Sequence, residues 1–178
     1  ADGVPEFAFI GRSNVGKSSL LNMLLGRRGL AKVSQTPGCT RLVNLFHADR
    51  GRFRLADLPG YGYAKVGKSG REGFARLIVD YMEAREAATT VLVLVDGRHE
   101  PQRIDLEFLE WLGGTGRPFV IVLTKADKVR AGRLEANRAA LLEALGHPDL
   151  EVFTTSAAKG LGRKELLGFL GRRAEEMR

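Results

Sequence analysis

A chain of 178 residues, 44 % of them apolar and 28 % charged, is long enough to bury one real core and too apolar to stay disordered. Its single cysteine, Cys39, excludes an intrachain disulfide framework and suits a reducing, cytoplasmic setting, and no apolar run approaches the length of a membrane span. The formal net charge of +7 favours polyanionic partners, RNA among them. The chain starts at Ala1, as a trimmed start would, and shows no charged, apolar and small-residue succession of a secretory signal. No linker, repeat or low-complexity tract interrupts it, so residues 1–178 are expected to form a single domain, and a monomer is expected.

Phe7 to Ile10 is a short apolar run that predicts a buried strand. Gly11-Arg12-Ser13-Asn14-Val15-Gly16-Lys17-Ser18-Ser19 follows and fits G-x-x-x-x-G-K-[ST]. Leu21, Leu24 and Leu25 then recur at helical spacing. Strand, glycine loop and helix together are the context a phosphate-binding loop requires. Gly11 and Gly16 permit a tight turn with consecutive N–H groups aimed into one hollow, and the helix opening near Lys17 adds its positive end. Lys17 is expected to reach the β- and γ-phosphates and Ser18 to hold Mg²⁺.

The segment from Arg27 to Pro37 reads as a loop. Leu42 to His47 and Arg52 to Ala56 are strand-like and joined through Asp49-Arg50-Gly51, a hairpin signal. A second loop, Leu58 to Gly70, carries four glycines. Phe74, Leu77, Ile78, Tyr81 and Met82 share one helical face. Val91 to Val95 reads as a strand covered on both faces. Ile104, Phe108, Trp111 and Leu112 form a helix stripe behind Pro101, with Trp111 expected in the core. Phe119 to Leu123 and Glu151 to Thr154 read as strands. Leu134, Leu141, Leu142 and Leu145, then Leu166, Leu167, Leu170 and Ala174, mark two more helices. Strands alternating with helices predict an α/β fold with a mostly parallel sheet and helices on both faces.

Three further clusters follow in an order that suits a guanine nucleotide. Asp57-Leu58-Pro59-Gly60 ends a strand; its acid can reach Mg²⁺ and the Gly60 N–H a γ-phosphate, whose loss would release the loop. Thr124-Lys125-Ala126-Asp127 ends another. A carboxylate at Asp127 can accept from the guanine N1–H and exocyclic amine, paired donors that adenine lacks. Thr155, Ser156 and Ala157 would let backbone N–H groups approach the guanine O6. In the first loop Thr40 is favoured over Thr36 to complete the Mg²⁺ shell, on its spacing from Pro37-Gly38 and the strand just after it. The expected catalytic groups are Lys17, Thr40 and Gly60. An ATP-dependent phosphotransferase is the reading that Asp127 argues against.

At GRSNVGKSSLLN (11–22), TPGCTRLVN (36–44), DLPGYGYAKV (57–66), TKADK (124–128) and TSAAKG (155–160) the sequence resembles the translation-factor-related GTPases, most closely the EngB ribosome-biogenesis family. The resemblance implies a P-loop NTPase with a Ras-like G domain and a six-stranded sheet. It implies a GTPase switch acting in large ribosomal subunit assembly and needed for normal division and septation. It also places Gly38, Cys39 and Thr40 in the nucleotide site, although relatives often carry a basic residue where Cys39 stands. Tyr61 occupies the place of the water-orienting Gln of Ras-like switches, so slow intrinsic turnover is expected. A module gated by nucleotide, with little hydrolysis, is the alternative. Asn14 resembles its counterpart in potassium-activated GTPases, where the side-chain oxygen holds K⁺ beside the phosphates. Basic residues gather at Arg27, Arg28 and Lys32, at Lys65, Lys68 and Arg71, and at Arg163, Lys164, Arg172 and Arg173, where contact with rRNA is expected. His47, His99 and His147 are scattered and show no metal-ligand spacing.

Overall fold

The computed structural model describes residues 3–26, 43–61, 76, 78–84 and 89–177. Within them β1 (Glu6–Gly11) is followed by α1 (Lys17–Leu25), and β2 (Asn44–Ala48) forms an antiparallel hairpin with β3 (Phe53–Asp57). Helical residues 78–84, here α2, precede β4 (Thr89–Asp96). Then come α3 (Arg103–Gly114), β5 (Phe119–Thr124), α4 (Ala131–Leu145), β6 (Val152–Thr154) and α5 (Arg163–Glu176). The six strands make one sheet of order β2-β3-β1-β4-β5-β6, and every pairing except β2 with β3 is parallel.

The apolar runs become strands because both sides of the sheet are covered. Phe7 and Phe9 of β1, Leu92 and Leu94 of β4 and Val120 and Val122 of β5 face one core, closed by Leu20, Leu21 and Leu24 of α1 and Leu166, Leu170 and Ala174 of α5. The alternate residues, Ala8, Ile10, Val91, Val93, Val95, Ile121 and Leu123, face the other. There they meet Ile78, Tyr81 and Met82 of α2, Leu109 and Leu112 of α3 and Leu141 of α4. Each Val, Leu, Ile, Phe or Met among them contributes about 1.5–3 kcal/mol when fully withdrawn from water. β1 lies between β3 and β4, so the chain leaves its carboxyl end where the strand order reverses. Ligands of open parallel sheets bind in that crevice.

The sequence expectation for α3 needs correction. Ile104 is 37 % exposed, and the inward line is Asp105, Leu109 and Leu112. Leu112 is buried as expected and Phe108 and Trp111 pack against the core, so only Ile104 fails; Leu109 joins the stripe, and the carboxylate of Asp105 stands at its head. Trp111 is half-buried and tilted against Phe108, ring centres 5.5 Å apart, at the margin of the core. Phe74 and Leu77 lie outside the described residues. The helix stop at Gly146 holds: its φ of 67° is left-handed, and its N–H meets the Glu143 and Leu142 carbonyls.

Candidate functional site

The carboxyl ends of β1, β3, β5 and β6 bring four segments together. Directly after β1 the chain reverses over Arg12 to Gly16, where the Val15 N–H donates to the Arg12 carbonyl at 3.2 Å. Asn14 and Gly16 have left-handed φ values of 65° and 105°. The turn leads into α1 with no side-chain cap at Gly16, so the first-turn amides of α1 face the hollow of the loop. Val15 turns its side chain into the core, whereas Ser13, Asn14, Ser18 and Ser19 are exposed.

Lys17 points from the first turn of α1 to Asp57, the last residue of β3, and its Nζ is paired with Asp57 Oδ1. Burial pulls the Lys17 ammonium from its ordinary 10.5 down to about 8. The chain after Asp57 stays against β1: the Leu58 N–H donates to the Phe9 carbonyl and the Tyr61 N–H to the Gly11 carbonyl, both at 3.1 Å. Leu58 is fully buried, so its side chain belongs to the core and only its backbone runs beside the loop. Gly60 has to be a glycine. A Cβ there would stand 2.9 Å from the Gly11 carbonyl oxygen and 3.3 Å from the Ser13 nitrogen.

At the other end of the hollow the Thr124 hydroxyl donates to the Val15 carbonyl at 2.7 Å. Lys125, at φ 58°, lays its stem near Gly16 and donates from Nζ to the Asn14 carbonyl at 2.6 Å and to Asp96 at 2.9 Å. Asp127 accepts from the Ser156 hydroxyl at 2.6 Å, and that bond is the main reason its carboxyl lies below the usual range. The Thr155 hydroxyl turns inward to the Leu123 carbonyl at 3.0 Å, and the Ala126 N–H reaches the Thr155 carbonyl at 3.1 Å. Thr124 thus ties the end of β5 to the glycine loop, and Thr155 ties the segment after β6 back to β5. Ala157 is half-buried beside Ser156. Gly38, Cys39, Thr40 and the rival Thr36 lie outside the described residues.

Two acids that sequence reasoning missed complete the surroundings. Asp96, at the end of β4, is 6 % exposed and accepts from Arg98 as well as Lys125. Burial pushes its carboxyl up, but these hydrogen bonds outweigh it and hold it well below the ordinary range. A lone acid closing the apolar run of β4 was the available signal. Asp105, in the first turn of α3, is fully buried and accepts from Arg12 and Tyr61. In the sequence it is indistinguishable from any acid near a helix start.

The donor set suits Mg²⁺. Ser18 and Asp57 offer only oxygen, the ligand a hard cation takes, and they stand beside a hollow of amides that would hold phosphate oxygens. Among the described residues no group of three or more His, Cys, Asp or Glu could hold an ion by itself. No helix among the described residues is long and apolar enough to cross a membrane.

Phosphate loop, sheet order and flanking helices define a P-loop GTPase with a Ras-like G domain. The family model described as "50S ribosome-binding GTPase" matches residues 6–125. Two relatives, each a "Probable GTP-binding protein EngB", align along nearly the whole chain. That of Bacteroides fragilis (strain YCH46) is 53 % identical over 93 % of this chain and 84 % of its own length. That of Porphyromonas gingivalis (strain ATCC BAA-308 / W83) is 54 % identical over 94 % and 84 %. The crystal structure of a probable GTP-binding protein EngB superposes with a TM-score of 0.74 at 25 % identity, covering 96 % of this chain and 99 % of that one. Era bound to MgGDPNP and nucleotides of 16S ribosomal RNA superposes at 0.69 with 27 % identity, over 93 % of this chain and 55 % of that one. The chain belongs to the EngB family of GTP-binding proteins.

Proposed function

We propose that this protein is a slow GTPase, converting GTP to GDP and phosphate, that acts as a nucleotide switch on the large ribosomal subunit or its precursor and supports normal division and septation. The observation that carries the nucleotide reading is the placement of two opposed tools around one hollow. Lys17 and the α1 amides lie at one end, and Asp127, oriented by Ser156, lies at the other. The residues expected to bind are Gly11 to Ser19, Gly38 to Thr40, Asp57 to Gly60, Thr124, Lys125, Asp127 and Thr155 to Ala157.

In this reading the amides of the loop and the Lys17 ammonium grip the β- and γ-phosphates, and Lys17 exchanges Asp57 for them. Ser18, Thr40 and Asp57 would hold Mg²⁺, which when bound offsets charge on the phosphate oxygens. Gly60 offers its N–H to the terminal phosphate. Asp127 accepts two hydrogen bonds from guanine and would be left buried against an unmatched edge by adenine. Tyr61 keeps its hydroxyl on Asp105 and has no free group to orient a water, which supports slow turnover. K⁺ at Asn14 belongs to the same proposal: single-turnover hydrolysis should run faster in KCl than in NaCl at equal ionic strength, and equal rates would remove the ion. The family model's description, the Era complex with rRNA and the net charge of +7 support the ribosomal partner.

The test of the site is Asp127→Asn. Guanine nucleotide affinity should fall about a hundredfold or more, with xanthine nucleotides gaining in its place. Unchanged GTP and GDP binding by calorimetry would unseat Asp127. The test of the partner is sedimentation with 50S subunits in GTP, GDP or no nucleotide, where co-sedimentation that ignores the nucleotide would end the switch reading.

A further inference from the structure

Asp105 is the most anomalous polar group among the described residues. It has no solvent exposure, yet only one carboxylate oxygen is used: Oδ1 accepts from the Tyr61 hydroxyl at 2.9 Å and from Arg12 Nε at 3.1 Å, while buried Oδ2 has no partner. Burial raises its carboxyl above the ordinary range, against the pull of Tyr61 and Arg12. A buried acid in this state costs stability and calls for an explanation. Its two partners supply one. Arg12 is the second residue of the phosphate loop, and Tyr61 immediately follows Gly60. The Tyr61 ring is stacked on Phe108 of α3, centres 4.4 Å apart, and the two backbones bridge as Arg12 with Tyr61.

We propose that Asp105 is a positioning residue that raises affinity for GTP relative to GDP, by holding Tyr61 and hence Gly60 against the phosphate loop. The inference rests on the nucleotide reading above. With the phenol docked, Gly60 lies hard against the Gly11 carbonyl and the Ser13 amide, within the neighbourhood a terminal phosphate would occupy. The bond from Tyr61 to Asp105 therefore favours the posture in which the Gly60 N–H can serve a γ-phosphate. GDP makes no use of that posture. The unpartnered Oδ2 provides the second state. When Tyr61 leaves, the carboxylate can take the Arg12 guanidinium with both oxygens, a fork-shaped pairing that keeps the acid satisfied. Two discrete arrangements of one acid make a two-state element that a ligand can bias.

The test measures GTP and GDP affinities by calorimetry for the intact chain, Tyr61→Phe and Asp105→Asn. Tyr61→Phe keeps the ring stacked on Phe108 and removes only the hydroxyl. Asp105→Asn keeps the shape and an acceptor but weakens the hold on Arg12 and Tyr61. Each should weaken GTP about three- to tenfold while leaving GDP within about twofold. The double variant should lose no more GTP affinity than the stronger single one, because both act through the same contact. Equal losses for GTP and GDP would mean that Asp105 merely supports the fold, and no loss for either would mean that it positions nothing; both results overturn the proposal. If Asp105→Asn fails to fold, Tyr61→Phe alone decides. Binding of GTP and GDP by the unmodified chain keeps the nucleotide reading distinct from this one.

Discussion

Lys17 is pressed against Asp57 with most of its surface withdrawn from water, and that burial sets its ammonium near 8 instead of 10.5. Two consequences of opposite sign follow. Only the protonated amine grips phosphate, so affinity for GTP and GDP should weaken as pH climbs past about 8, by at most about tenfold per pH unit. Calorimetry at a series of pH values checks this, and a flat profile through about pH 9.5 would show that Lys17 keeps its proton. The free protein should behave the other way. Between about 8 and about 10.5 the unfolded chain binds more protons at this lysine than the folded one, so stability rises with pH across that window, by up to about 3 kcal/mol. Urea midpoints near pH 7.5 and pH 10 should show the gain in the intact chain and lose it in Lys17→Met.

Asn137 shows what single elements contribute. It is buried on α4, and its side-chain amide donates to the Gly97 carbonyl at 3.0 Å, fastening α4 to the turn after β4. Asn137→Ala leaves that carbonyl without its partner and should cost about 1–3 kcal/mol, read as a lower urea midpoint. An unshifted midpoint would mean that water takes over the bond. The strands and most helices were legible because their apolar residues recur with periods that only a sheet covered on both faces can satisfy, as with Phe7 to Ile10 and Val91 to Val95. Asn137 and Asp105 were not. Each is a polar residue on an inward face, where its partner lies 40 or 44 positions away, and periodicity carries no information about such pairs. For the same reason the apolar stripe of α3 includes the exposed Ile104 and passes over the buried Asp105. The gathering of Gly11 to Ser18, Asp57 to Gly60 and Asp127 with Ser156 at the carboxyl ends of the strands was legible in their order along the sequence. What the sequence could not say is how side chains divide the labour, with Thr124 and Thr155 tying neighbouring segments to β5 and Leu58 filling the core.

Across the whole molecule, the basic surcharge counted in the sequence overstates the charge free for a partner. Arg163 donates to the Met23 and Leu24 carbonyls and so closes the carboxyl end of α1, and Arg173 is paired with Glu176. Arg172 is exposed, while Arg27, Arg28, Lys32, Lys65, Lys68 and Arg71 lie outside the described residues. Binding to large-subunit RNA should fall steeply with salt, by about tenfold or more between about 50 and about 200 mM KCl. Arg163→Ala should chiefly lower stability, and Arg172→Ala should chiefly weaken sedimentation with 50S subunits. A salt-independent association would assign the contact to apolar surface.

The hydroxyl of Thr124, at the end of β5, clasps the carbonyl of Val15, so the segment proposed to read the base and the loop proposed to hold the phosphates share one rivet. In that proposal, recognition of the purine and capture of the charged tail would be parts of a single mechanical frame.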